Sequence, residues 1–145
     1  MNNSQRYPLI SIIMPCYFNE ENIAETSEIL IGNEALFPAD VEFEYVFVDD
    51  DSRDNTFAEI MKFYDQYPHK TKVVKLAKNA GSYHALLAGM NYATGDCNIM
   101  LAPDLQDPPE LIPKMYEHWR KGVKFVVANR VGRDESFYQS FLSNI

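Results

Sequence analysis

The stretch Leu9-Ile10-Ser11-Ile12-Ile13-Met14-Pro15-Cys16-Tyr17-Phe18-Asn19-Glu20-Glu21 sets the fold class. Leu9 to Pro15 is an almost unbroken apolar run, which suits a strand buried on both faces of a parallel sheet. Asn19, Glu20 and Glu21 follow directly, a capping residue and two acids that favour the positive end of a helix dipole. A helix is therefore expected from there to about Ile31, with Gly32-Asn33 as its stop.

Further along, the same strand-then-helix pair recurs. Phe43 to Asp49 reads as a second strand, and Thr56 with Glu59 has the capping-box spacing that opens a helix to about Tyr64. Lys72 to Leu76 reads as a third strand, followed through Asn79-Ala80-Gly81 by a helix to about Ala93, with Gly95 as a left-handed stop. Cys97 to Leu101 is the fourth, with a helix from Pro108 to Lys121 ended by Gly122, and Phe125 to Asn129 the fifth. Such alternation implies an α/β fold, a Rossmann-like, mostly parallel central sheet with helices on both faces. No repeat or linker interrupts the 145 residues, so a single domain over 1–145 is expected.

Composition narrows the function classes. A net charge of −8 and a pI of about 4.8 argue against broad nucleic-acid binding, which needs clustered Lys and Arg. Cys16 and Cys97 are too few to staple a secreted scaffold, show no zinc spacing, and read as small core residues of a protein in a reducing cytosol. Met1 to Pro8 lacks the regions of a signal peptide, and no apolar run is long enough to cross a bilayer, which predicts a soluble chain. The amphipathic pattern of Phe137, Phe141 and Ile145 stops without a cap, so a longer protein is expected to continue it. Homo-oligomer formation is left open.

Ligands of open α/β sheets bind beyond the carboxyl ends of the strands, and the polar clusters fall there. Asn19 and Glu20 follow the first strand, Asp49 to Asp51 the second, Asp104, Gln106 and Asp107 the fourth, and Arg130 and Arg133 the fifth. So many carboxylates repel a bare phosphate, and a phosphoester ligand therefore requires a divalent cation. Asp104 with Gln106 offers hard oxygen ligands to Mg²⁺ or Mn²⁺, and Arg130 and Arg133 offer bidentate phosphate donors. Local alternatives stand beside these: a polar turn at Asp49 to Asp51, a helix cap at Asp104 or Asp107, and arginines that merely offset acidic surface. His84, on a helix, is expected to be partly buried with one hydrogen bond, and neither it, His69 nor His118 is assigned chemistry. The dinucleotide fingerprint GxGxxG and the P-loop are both missing, which removes the main support for dehydrogenases and kinases.

The segments Ile12 to Ile23, Val48 to Thr56, Lys78 to Gly81 and Asp104-Leu105-Gln106-Asp107-Pro108-Pro109-Glu110, in that order, resemble family-2 inverting glycosyltransferases of the GT-A fold. The last run is similar to the subgroup that includes dolichyl-phosphate mannose synthases and bacterial polyprenyl-phosphate glucosyltransferases. The resemblance implies that Pro15, Tyr17, Asn19 and Glu20 line a nucleoside pocket, and that Asp49 and Asp50 contact base and ribose. It likewise implies that Lys78 takes a basic position of the family and that Asp104 and Gln106 bind the metal. Arg130, Arg133 and Ser136 match a segment that meets the phosphates of donor and acceptor, so Asp104, Arg130 and Arg133 carry the transfer. Three positions depart. Ala102 replaces the first acid of the metal motif, Asp51 replaces a glycine, and Phe18 shifts the Tyr-Asn-Glu element so that either Asn19 or Glu20 takes the ribose contact.

The expected activity is transfer, with inversion, from a UDP- or GDP-sugar to polyprenyl phosphate. Such a phosphate acceptor, with a second pKa of about 6, needs no general base, and none is evident in the sequence. The expected place is the cytoplasmic face of the plasma membrane, with membrane contact through sequence after Ile145. Two alternatives are a family-2 transferase acting on a sugar hydroxyl in surface polysaccharide synthesis, and a nucleotide-sugar-binding module without turnover, which Ala102 motivates.

Overall fold

The computed structural model describes residues 8–128. Four strands, β1 (Leu9–Cys16), β2 (Glu42–Asp49), β3 (Thr71–Lys75) and β4 (Cys97–Met100), form one parallel sheet in the order β3-β2-β1-β4. Between them run α1 (Ile23–Asn33), α2 (Thr56–Gln66) and α3 (Ser82–Tyr92), and α4 (Ile112–Arg120) follows β4. Short 3-10 turns at Glu34–Leu36 and Pro109–Leu111 flank α1 and α4.

Alternation along the central strands builds two cores. Ile10, Ile12, Met14 and Cys16 of β1 and Phe43, Tyr45 and Phe47 of β2 face one side, where Ile23, Leu30, Ile60, Phe63 and Tyr116 from α1, α2 and α4 cover them. Ile13, Val46 and Val48 face the other side, under Ala85 of α3. Gly89 brings α3 close to the sheet, because a Cβ there would lie 2.5 Å from Ile13 Cγ2 and 3.0 Å from Val48 Cγ2. Continuous apolar runs are what such a two-sided sheet requires.

Three expected boundaries differ. The first helix begins at Ile23 and runs through Gly32 to Asn33, because Asn19 to Asn22 form a tight turn in which the Asn22 and Ile23 N–H groups both donate to the Asn19 carbonyl. Gly95 is not left-handed; it is needed because a Cβ would sit 2.7 Å from Ser11 N and 2.8 Å from Leu9 O. The expected fifth strand is not formed over Phe125 to Ala128, where Phe125 is 85% exposed, and Asn129 lies outside the described residues. An apolar alternation becomes a strand only beside a partner, and none pairs with it among the described residues. Gly122, by contrast, has the left-handed φ of +94° expected after a helix.

Candidate functional site

Chain order runs from β1 outward to β3 and then returns to β4 on the other side, so the direction of winding reverses between β1 and β4. In open α/β sheets ligands bind at such a switch point, beyond the carboxyl ends of the two strands. Loops after all four strands reach this end of the sheet.

The loops after β1 and β2 are stitched together by side chains. Phe18 N–H donates to Ser52 Oγ (3.2 Å), Asn19 N–H to Thr56 Oγ1 (2.7 Å), and Asn55 N–H to Glu20 Oε2 (2.8 Å). Asn19 Oδ1 accepts the Tyr17 N–H at 2.7 Å, which curls the loop and leaves the Tyr17 and Phe18 rings half-exposed, edge to face at 4.5 Å. Phe18 takes a left-handed φ of 53°, a strained state for an aromatic residue that is held by its Ser52 bond. Thr56 is therefore not the helix cap expected of it. Asp54 Oδ1 accepts the Thr56 N–H instead, and Glu59 pairs with Lys62 at 2.6 Å.

The acids after β2 are largely internal. Asp49 has no exposed surface; its Oδ1 accepts the Ser52 N–H at 3.2 Å, and its Oδ2 lies 3.7 Å from Lys75 Nζ. Asp50 is 2% exposed, with Oδ1 accepting the Ala80 N–H (2.7 Å) and Oδ2 the Gly81 N–H (2.8 Å). Asp51 has a φ of 60°, the left-handed turn that a glycine would fill at lower cost. The neighbouring Cys16 thiol is pushed far above its ordinary pKa by burial and by the charge of Asp49, which makes it a core group and no nucleophile.

After β4 the chain passes Ala102 and the buried Pro103, whose carbonyl accepts the Thr26 hydroxyl at 2.8 Å. Asp104 follows, partly exposed, with Oδ1 accepting the Gln106 N–H at 3.1 Å across a left-handed Leu105 (φ 55°). It does not cap the turn at Pro109–Leu111, which has no side-chain cap. Asp104 Oδ2 has no hydrogen-bond partner among the described residues, and Gln106 is exposed.

A divalent ion tests this geometry. Among the described residues no three acidic, imidazole or thiol side chains converge. One carboxylate and one amide fit an ion of the Mg²⁺ type, which retains waters and takes further oxygens from phosphates. The donor set suits such an ion only together with a diphosphate.

The remaining expected site residues divide. Pro15 sits at the end of β1 and is partly buried, while Lys78 is exposed in the loop before α3. Arg130, Arg133 and Ser136 lie outside the described residues. His84 makes its one hydrogen bond, Nδ1 to Ala80 O at 2.8 Å, but is exposed rather than partly buried. Thr26, Ser52 and Asp54 are loop-holding residues that sequence reading missed, and Thr56 holds the β1 loop rather than capping its helix; Thr26 lies on a helix 77 positions from its partner and leaves no local signal. Grooves of about 260 Å³ between α1 and α2 and of about 470 Å³ beside Tyr67 to Lys70 contain none of the expected site residues.

A parallel sheet wound in two directions, with a loop acid at its switch point, is the layout of a GT-A type glycosyltransferase domain. Residues 11–144 match the family described as Glycosyl transferase family 2, and the chain belongs to that family. A Synechocystis protein described as an uncharacterized glycosyltransferase is 36% identical over 94% of this chain and 42% of its own length. A dolichol-phosphate mannosyltransferase of Pyrococcus furiosus is 33% identical over 92% and 38% respectively. An undecaprenyl-phosphate 4-deoxy-4-formamido-L-arabinose transferase of Proteus mirabilis is 29% identical over 100% and 44%. The chain thus spans about two fifths of the curated relatives it matches. A mannosyltransferase from Pyrobaculum calidifontis, solved with GDP-Man and Mn²⁺, superposes with a TM-score of 0.65 at 23% identity over 93% of this chain and 39% of its own. TarS of S. aureus in complex with UDP gives 0.53 at 28% identity over 74% and 32%.

Proposed function

We propose that this domain binds a UDP- or GDP-sugar at the switch point between β1 and β4 and serves its transfer, with inversion, to a polyprenyl phosphate. The observation that carries the reading is Asp104, held at the switch point by the Thr26–Pro103 tie, with its Oδ2 unpaired among the described residues. It is supported by family membership and by relatives whose names state dolichol-phosphate and undecaprenyl-phosphate transfer.

Pro15, Tyr17, Asn19 and Glu20 line the nucleoside pocket, and Asp49 and Asp50 contact base and ribose. Asp104 and Gln106 hold Mg²⁺ or Mn²⁺; when bound, such an ion supplies Lewis-acid stabilisation of the departing diphosphate. Lys78, Arg130 and Arg133 supply the positive charge that donor and acceptor phosphates need. A phosphate monoester attacks as an anion, so the domain has no proton to remove from it. Among the described residues no helix is long and apolar enough to cross a membrane. Membrane contact, at the cytoplasmic face, is assigned to the portion that the longer relatives have beyond the matched region.

The test is incubation of the full-length protein with polyprenyl phosphate, Mn²⁺ and a panel of labelled UDP- and GDP-sugars. A labelled lipid-linked sugar is expected, and no product from any donor would remove the activity. A binding module without turnover is favoured by one observation, the alanine at 102 in place of the metal motif's first acid. It would show metal-dependent UDP or GDP affinity with no transfer, and Ala102→Asp would raise the metal affinity.

A further inference from the structure

The α3 layer differs in charge from the rest of the molecule. Residues 66–95 contain no Asp or Glu, although the chain has 21, and they carry four lysines, Lys70, Lys72, Lys75 and Lys78. Of the four helices α3 alone is without an acid; α1 holds Glu25 and Glu28, α2 Glu59 and Asp65, and α4 Glu117. Among the described residues α3 is also the one helix on its side of the sheet, over Ile13, Val46 and Val48, while the acid-bearing helices pack on the other side. Two acids reach the α3 layer, and both are buried: Asp50 accepts the Ala80 and Gly81 N–H groups, and Glu44 pairs with Lys72 at 2.7 Å. Glu42 and Asp96 lie at the amino ends of β2 and β4.

The outer surface of this helix is apolar. Ala85 and Gly89 are buried against the sheet, and Tyr83, Leu87 and Met90, at the i, i+4, i+7 spacing of one stripe, are turned away from it. Tyr83 is 81% exposed, and Leu87, Met90 and Tyr92 are each about half-exposed. Met100 of β4 pairs in register with Ile13, so it lies on the same side of the sheet, and it too is exposed. Exposed Lys78, in the loop ahead of α3, and Lys72, whose Nζ donates to Tyr92 O at 2.7 Å, flank the stripe at its two ends. Tyr, Leu and Met beside lysines suit the boundary of a bilayer, where rings and apolar side chains enter the headgroup region and ammonium groups meet lipid phosphates. Charge selects the lipid. An anionic surface acts within a Debye length, about 8 Å, so it attracts the lysines of the α3 layer while the acids across the sheet are screened. A second copy docked face to face would instead set like charges against each other. We infer that the outer face of α3 is a docking surface for an anionic phospholipid bilayer, engaged through Tyr83, Leu87 and Met90. This goes beyond the proposed sugar transfer, since it needs neither nucleotide nor acceptor.

The experiment is co-sedimentation of the 145-residue protein with vesicles of phosphatidylglycerol and phosphatidylcholine, or of phosphatidylcholine alone, without nucleotide or metal. The wild type is expected to bind the anionic vesicles at least about tenfold more strongly, and raised salt should weaken that binding. The double variant Leu87→Gln, Met90→Gln should lose about tenfold or more of it, and Lys78→Gln about fivefold on anionic vesicles alone. Leu36→Gln, which changes an exposed leucine on the α1 side, should bind as the wild type does. Absence of binding to anionic vesicles, equal binding to both kinds, or undiminished binding by the double variant would overturn the inference. A dimer that the double variant dissociates, with no vesicle binding, would give the face to a second copy and overturn it as well. Should the double variant melt below the wild type, Tyr83→Gln reads the same face at its most exposed residue, and unchanged binding by that variant again overturns the inference. Because no nucleotide is present, a failure here leaves the proposed transfer standing, and a failure of transfer leaves the vesicle result intact.

Discussion

Thr26 gives its hydroxyl proton to the main-chain oxygen of Pro103, 2.8 Å away and 77 positions later in the chain. Thr26 is 1% exposed, so the bond sits in the core and ties α1 to the loop that presents Asp104. Valine at 26 keeps the shape and removes the donor, leaving a buried carbonyl unpaired. Thr26→Val is expected to lower stability by about 1–3 kcal/mol in urea unfolding. Metal affinity at Asp104 should fall with it, read by Mn²⁺ titration.

Glu44 ties β2 to the turn between α3 and β4. Its carboxylate accepts Ser11 Oγ at 2.5 Å, Thr94 Oγ1 at 2.9 Å and the Thr94 N–H, and pairs with Lys72 Nζ at 2.7 Å. Burial alone would raise its pKa, but the bonds from Lys72, Ser11 and Thr94 outweigh that and hold it at about 2. A folded pKa below the unfolded one contributes stability that is fully present above about 4.5 and is lost as pH falls toward 2. Stability measured between those limits should decline, and Glu44→Gln should flatten the decline while lowering stability at neutral pH.

Two glycines separate steric need from chain flexibility. Gly95 lies against Ser11 N and Leu9 O, so Gly95→Ala forces the α3–β4 turn off the sheet and is expected to cost about 1–3 kcal/mol. Gly32 sits in α1 with nothing within 4 Å of an added Cβ, and Gly32→Ala should stabilise by about 0.5–1 kcal/mol. Thermal melts of the two variants should move in opposite directions.

The two thiols should behave as core groups. Burial raises both, and Cys16 carries in addition the repulsion of Asp49. Alkylation of the native protein, followed by mass spectrometry, is expected to label the half-buried Cys97 slowly and Cys16 only on unfolding.

The sheet was legible because strands buried on both faces must be apolar throughout, and Leu9 to Pro15 could hardly be anything else. Loops holding the site were less so, since their bonds join distant segments: Thr26 to Pro103, Asn19 to Thr56, Asp50 to Gly81. Capping-box spacing at Thr56 and Glu59 was real in the sequence, yet Asp54 lay nearer and the threonine hydroxyl served the β1 loop. Phe125 to Ala128 had the composition of a strand, but pairing is a property of neighbours and not of a segment. The resemblance sets Asp49 and Asp50 at base and ribose; what the sequence hides is that both carboxylates also hold loop amides, at Ser52 and at Ala80 and Gly81.

Whether Asp104 anchors a metal-bound nucleotide is tested most directly by calorimetric titration of UDP and GDP, with and without Mn²⁺, into the protein and into Asp104→Asn. One of the two nucleotides should bind the wild type in the presence of Mn²⁺, and Asp104→Asn should lose at least about tenfold of that affinity, or about 1.4 kcal/mol, with no change in unfolding midpoint. Equal binding by both proteins, or binding indifferent to Mn²⁺, would contradict a metal-bridged sugar nucleotide at this site.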